Sequence, residues 1–206
     1  MPQEYLKESA SQTAGPFLHI GMYPSAAGLP IRTQEKPNVI ASPSIEGERI
    51  RIEGVIYDGG GNLVIDAQIE LWQANSHGKY NHPADDQDKP LNPDFNGWGR
   101  AVTDFETGLY WFETIKPGPV PGPRGQLMAP HVSLWICARG INIGLHTRMY
   151  FSDEEQANDS DAVMNAVENG PRRNALVGQR SSGDGLPTYR FDIYLQGENE
   201  TPFFDI

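Results

Sequence analysis

The stretch Thr114–Gly140, TIKPGPVPGPRGQLMAPHVSLWICARG, decides the fold. Pro117, Pro119, Pro121 and Pro123, with Gly118, Gly122 and Gly125 among them, forbid a helix, because proline lacks an N–H and glycine is entropically costly to order. Past Pro130 the pattern alternates strictly: Val132, Leu134, Ile136 and Ala138 point one way, and His131, Ser133, Trp135, Cys137 and Arg139 the other. A proline-rich loop thus feeds a β-strand that begins on a histidine, a common way to build a metal site.

Outward from this strand the same signal repeats. In ERIRIEGVIYD, Ile50, Ile52 and Ile56 alternate with Arg51, Glu53 and Val55, a turn falls at Gly59–Asn62, and Ala67, Ile69 and Leu71 alternate with Gln68, Glu70 and Trp72; the two segments read as a hairpin. Trp98–Val102, LYWFETI (109–115), LHTRMYF (145–151) and YRFDIYLQG (189–197) read as further strands, and aromatic residues on both faces of LYWFETI suggest a central one. One helical excursion is expected: Ser152 to Glu155 fits a capping box, DAVMNAVE (161–168) has helical spacing, and Asn169-Gly170-Pro171 should stop it. Seven or more short strands with one helical detour predict an all-β, antiparallel β-sandwich. The expected organisation is a single domain, 1–206, with an irregular, proline-rich arm at 1–47 and the sandwich at 48–206.

The chain has 206 residues, 38% of them hydrophobic, enough for a sizeable core, and a formal net charge of −11 that argues against nucleic acid or an anionic membrane as partner. The N-terminal stretch lacks an apolar signal core, and no segment approaches a membrane span. Cys137 is the only cysteine, so no internal disulfide is available, and a cytoplasmic location is expected. Cys137 itself reads as a packed strand residue. His77 and His82 lie five apart on a polar loop with no third ligand at a recognisable spacing, and Asp85 to Asn96 reads as a solvent-facing loop.

TIKPGP, the APH turn, WQANSHGKY, TAGPF near the start and ENETPFFDI at the end together resemble the intradiol ring-cleaving dioxygenases over nearly the whole chain. In that family ferric iron is held by two tyrosines and two histidines. The resemblance places Tyr80 and His131 at the first Tyr and first His, but Val120 at the second Tyr and Ser133 at the second His, and Met128 where an active-site Arg belongs. Valine offers no lone pair and a neutral hydroxyl is a poor substitute for imidazole, so these four positions form a vestigial site and no metal is expected on this chain. Tyr80 then reads as a packing residue.

The family also contains two-chain enzymes, and there the resemblance implies a homologous β subunit carrying Fe(III), in a large hetero-oligomer of α/β units. It implies cleavage of 3,4-dihydroxybenzoate (protocatechuate) by O2 between its two hydroxyl-bearing carbons, giving 3-carboxy-cis,cis-muconate. Thr13, Gly15 and Pro16 of the arm would reach the partner's site. Arg139 is the candidate for the substrate carboxylate: eight residues beyond His131, about 26 Å along an extended strand, it is too far away to serve this chain's own site. Arg148 and Arg124 are weaker candidates. The alternative is a catalytically inactive β-sandwich binding module using Trp72, Trp98 and Trp135.

Overall fold

The structure is a computed structural model and describes residues 7, 10–15, 17–30, 36–122, 125–181 and 185–205. Its strands are β1 (Arg49–Tyr57), β2 (Gln68–Trp72), β3 (Trp98–Val102), β4 (Leu109–Ile115), β5 (Val120–Pro121), β6 (Leu127–Met128), β7 (His131–Cys137), β8 (Leu145–Phe151), β9 (Val177–Ser181), β10 (Thr188–Arg190) and β11 (Ile193–Tyr194). The main sheet runs β11-β1-β10-β9-β8-β7-β2-β3, with β4 on β1, while β5 and β6 form a separate short pair. The all-β expectation holds, but the sheet is mixed: β1 runs parallel to β10 and β11, and β8 runs parallel to β9.

The expected hairpin is not one. The turn after Tyr57 forms, with the Asp58 carboxylate accepting from the backbone of Gly60 and Asn62. The chain then crosses over, so that β1 pairs β4 while β2 pairs β3 and β7. Both sets send side chains into one apolar core: Ile50, Ile52 and Phe112 from one, and Ile69, Leu71, Val132, Leu134 and Ile136 from the other. Alternation reports a buried face but not the neighbour across it. For the same reason β4, expected to be central, pairs among the described residues with one full strand, β1; along its other side Val39 bridges Glu113.

The last predicted strand is split into β10 and β11. Between them Phe191 N–H donates to Glu53, and Asp192 accepts from the N–H of Val55. Gly54 lies against this break, and a Cβ there would sit 1.8 Å from the Phe191 carbonyl oxygen, so only glycine lets the two backbones meet.

Among the described residues, α1 (Leu18–Met22) lies in the stretch read as an arm, and the single helical excursion is replaced by three short helices: α2 (Glu155–Ser160), α3 (Ala162–Asn165) and α4 (Gly170–Asn174). The capping box does not form, because Ser152 Oγ instead accepts from Arg180 N–H of β9. Asp161 caps α3, and Asn169 caps α4 with Pro171 in its first turn, so the expected stop signal starts a helix. Within the stretch read as an arm, Ala41 and Ile45 pack with Phe95 and Ile115 of the body. No described helix is long and apolar enough to cross a membrane.

Candidate functional site

Two places correspond to the site residues read from sequence, and they lie at opposite ends of β7. At its start, two loops are locked together. Gly78 has φ +74°, and a Cβ on it would lie 1.9 Å from the Pro119 carbonyl oxygen; Gly118 N–H donates to Asn75 O at 2.9 Å. This contact sets Tyr80 beside Val120. Val120 is 2% exposed and pairs across β5/β6 with Met128, and Tyr80 packs on the apolar cluster they form with Ala74. The Tyr80 ring also stacks on Trp72, with centroids 5.7 Å apart and planes 9° apart. Tyr80 is therefore packed, as expected.

His131 opens β7, buried, with Nδ1 2.7 Å from Ala129 O. Burial, reinforced by the Arg148 charge, lowers its pKa to about 4, so the ring is neutral near pH 7. Burial and then Asp85 push the Tyr80 phenol up, against the opposing pull of Arg148. Ser133 sits directly across from Arg148 in the β7/β8 register, and the Arg148 Nη1 lies 3.5 Å from Met128 Sδ. A neutral phenol, a valine, a methionine and a serine facing a guanidinium do not suit ferric iron, which favours anionic oxygen donors. Among the described residues no group of three or more His, Cys, Asp or Glu side chains could hold a metal ion.

Most of the loop at 85–96 is exposed, as read, but its start is tied to Tyr80 and Phe95 turns inward. The Asp85 carboxylate accepts from Tyr80 N–H at 2.8 Å and from Gln87 N–H, Asn75 Nδ2 donates to Pro90 O, and Phe95 is buried. It helps line a cavity of about 530 Å³ walled by Trp72, Tyr80, Val120 and Pro121. His77 lies 3.4 Å from Glu46, and His82 Nδ1 accepts from Ala84 N–H, so the two histidines have separate local partners.

At the far end of β7 the arm returns. Thr13 Oγ1 accepts from Gly140 N–H at 2.8 Å and donates to Ala138 O at 3.4 Å, clasping the turn that carries Arg139. The Arg139 side chain is 67% exposed and pairs through Nε with Asp66. Asp66 also raises the pKa of His19 of α1, although burial lowers it more. Thr13 and Arg139 thus meet in one patch, with exposed Gly15 two residues along the arm. Pro16 and Arg124 lie outside the described residues. Arg148 belongs to the other end of β7, away from Arg139.

Sequence reasoning missed Asp66, His19 and Asp161 and misread Arg148. For Arg148 a signal existed: aligning LHTRMYF antiparallel to HVSLWIC from their shared turn puts Arg148 opposite Ser133. Trp72 is stacked on Tyr80, Trp98 lies under the Arg100 guanidinium and Trp135 packs near His146, so all three expected binding aromatics already have internal partners.

Set beside solved structures, the fold is that of ring-cleaving dioxygenases. It matches 3-chlorocatechol 1,2-dioxygenase from Rhodococcus opacus with a TM-score of 0.59, over 76% of this chain and 63% of that one at 22% identity. The family model described as "Dioxygenase" matches residues 31–197, and the chain belongs to that family, the intradiol ring-cleavage dioxygenases. Relatives include the protocatechuate 3,4-dioxygenase alpha chain of Pseudomonas putida, 48% identical over 205 residues and covering 100% of both chains. The protocatechuate 3,4-dioxygenase beta chain of Burkholderia cepacia is 36% identical, over 80% of this chain and 72% of that one.

Proposed function

We propose that this chain is the iron-free α subunit of a two-chain protocatechuate 3,4-dioxygenase, working with a homologous β subunit that carries Fe(III). The observation that carries this reading is the contrast between the two ends of β7: packing groups fill the metal positions at one end, while an exposed arginine is clasped beside the arm at the other. The full-length likeness to an α chain, together with the likeness to a β chain, supports it. The β partner's iron supplies the oxidative chemistry, by which both atoms of O2 enter 3,4-dihydroxybenzoate to give 3-carboxy-cis,cis-muconate.

The part of this chain is to bind and orient. Arg139 Nε is held by Asp66, leaving the terminal amines of the guanidinium for the substrate carboxylate. Thr13 fixes the turn that presents it, and Gly15 lies two residues along the same arm. In this reading the arm that carries Thr13 lies over the partner, the chain from Val39 onward belongs to the two-layer sandwich, and α/β units assemble into a large hetero-oligomer in the cytoplasm.

The deciding experiment is iron content and visible spectrum of the chain alone and after co-expression with its β partner. A colourless chain that yields a coloured, protocatechuate-cleaving complex supports the reading; iron and colour in the lone chain overturn it. Two further outcomes are expected. Tyr80→Phe leaves the iron content of the complex unchanged, measured by metal analysis, because the phenol is only packed. Thr13→Val removes both hydrogen bonds to the Arg139 turn and lowers kcat/KM about 2- to 10-fold, the worth of one or two ordinary hydrogen bonds. Unchanged kinetics would reduce the arm to packing.

A further inference from the structure

Loss of two ligands would by itself weaken metal binding, and Arg148 stands beside the positions they would occupy. Arg148 is half-buried and has no carboxylate partner within ion-pair distance among the described residues, whereas most other described arginines of the body pair with an acid. It stands opposite Ser133, next to the His131/Tyr150 pair on the same face of β7/β8, and touches Met128 Sδ at 3.5 Å. Met128 pairs with Val120, on which Tyr80 packs. Arg148 therefore stands across from Ser133, its charge acts on Tyr80, His131 and Tyr150, and it reaches Val120 only through Met128.

We propose that Arg148 is the group that keeps this chain free of metal, its guanidinium reaching from β8 over the small Ser133 into the space that a cation would need. A histidine at 133 would compete with the guanidinium for space, and a tripositive ion there would be repelled by it in a half-buried setting. Reinstating the missing ligands alone then leaves the site empty, and removal of the Arg148 charge is the further requirement. The proposal rests on the family correspondence of the four positions, not on the partnership with a β chain, so it is tested on the full chain by itself.

Two variants decide it: Val120→Tyr/Ser133→His with Arg148 retained, and the same pair with Arg148→Gln added. Each is loaded with ferrous sulfate under argon, opened to air and desalted, then analysed for iron and for the visible tyrosinate–iron band. The expected result is a nearly iron-free, colourless first variant and a coloured second variant holding about one iron per chain, the occupancy a completed donor set supports. Iron and colour in the first variant overturn the proposal, as does a folded second variant that stays colourless.

Should either variant fail to fold, melting temperatures of Ser133→His, Arg148→Gln and the pair give an independent answer. Ser133→His alone is expected to lower the melting temperature or prevent folding, and adding Arg148→Gln to recover most of the loss. Additive effects, or a pair that is no better than Ser133→His alone, show that residue 133 and Arg148 do not compete for one space and overturn the proposal.

Discussion

Replacing Arg139 by methionine is expected to raise the KM of the assembled α/β enzyme for protocatechuate by about 10- to 100-fold, the range for a hydrogen-bonded charge pair, with catechol affected less than about 2-fold. The two substrates differ only in the ring carboxylate, so the difference isolates the group that Arg139 is proposed to bind. Methionine keeps much of the side chain's apolar bulk and removes the charge. Steady-state kinetics with both substrates checks it, and equal losses would mean that the residue only holds its turn. Asp66→Asn is the companion variant. It weakens the contact at Nε without touching the terminal amines and should give a smaller version of the same selectivity change.

The largest stability effect is expected at Asp161. Its carboxylate is fully buried and accepts four hydrogen bonds: from Ala129 N–H at 2.8 Å, Val163 N–H at 2.9 Å, Met164 N–H at 2.8 Å and Tyr150 O–H at 3.1 Å. One side chain thus caps α3, fixes the residue two before His131 and ties both to β8. Asp161→Ala leaves these donors unpaired amid Ala129, Met164 and Leu176, and should cost about 3–5 kcal/mol of unfolding free energy. Urea denaturation measures it; a loss below about 1 kcal/mol, the worth of one ordinary hydrogen bond, would mean that water replaces the carboxylate. Tyr150→Phe removes only one of the four bonds and should cost correspondingly less.

The strands were largely legible because period-2 alternation follows directly from one buried face: LHTRMYF forms at the residues expected, and Val132, Leu134 and Ile136 are buried as their pattern required. Their partners were not, because alternation says nothing about pairing. The crossover after Asp58 and the parallel seams of β1 with β10 and β11 depend on distant contacts such as Gly54 against Phe191. Helix starts and stops were misread where one residue could serve either role: Asn169-Gly170-Pro171 looks like an end by composition and is a beginning by its cap. At the site, Val120 and Ser133 were picked out by the family resemblance, and their residue chemistry then said that they make poor donors. That Arg148 faces Ser133 was only partly legible: the two strands and their shared turn hint at it, but the β7/β8 register that fixes it comes from the structure.

The tight approach of Gly78 to the Pro119 carbonyl bears on the order in which such an enzyme is made. Two loops that would otherwise be drawn together around a bound ion are here joined by their own backbones, so this chain can reach its final shape without waiting for iron. If the β partner carries the iron as proposed, a shortage of iron would fall on the partner alone, and the α chain would accumulate as a finished template waiting for a loaded β chain.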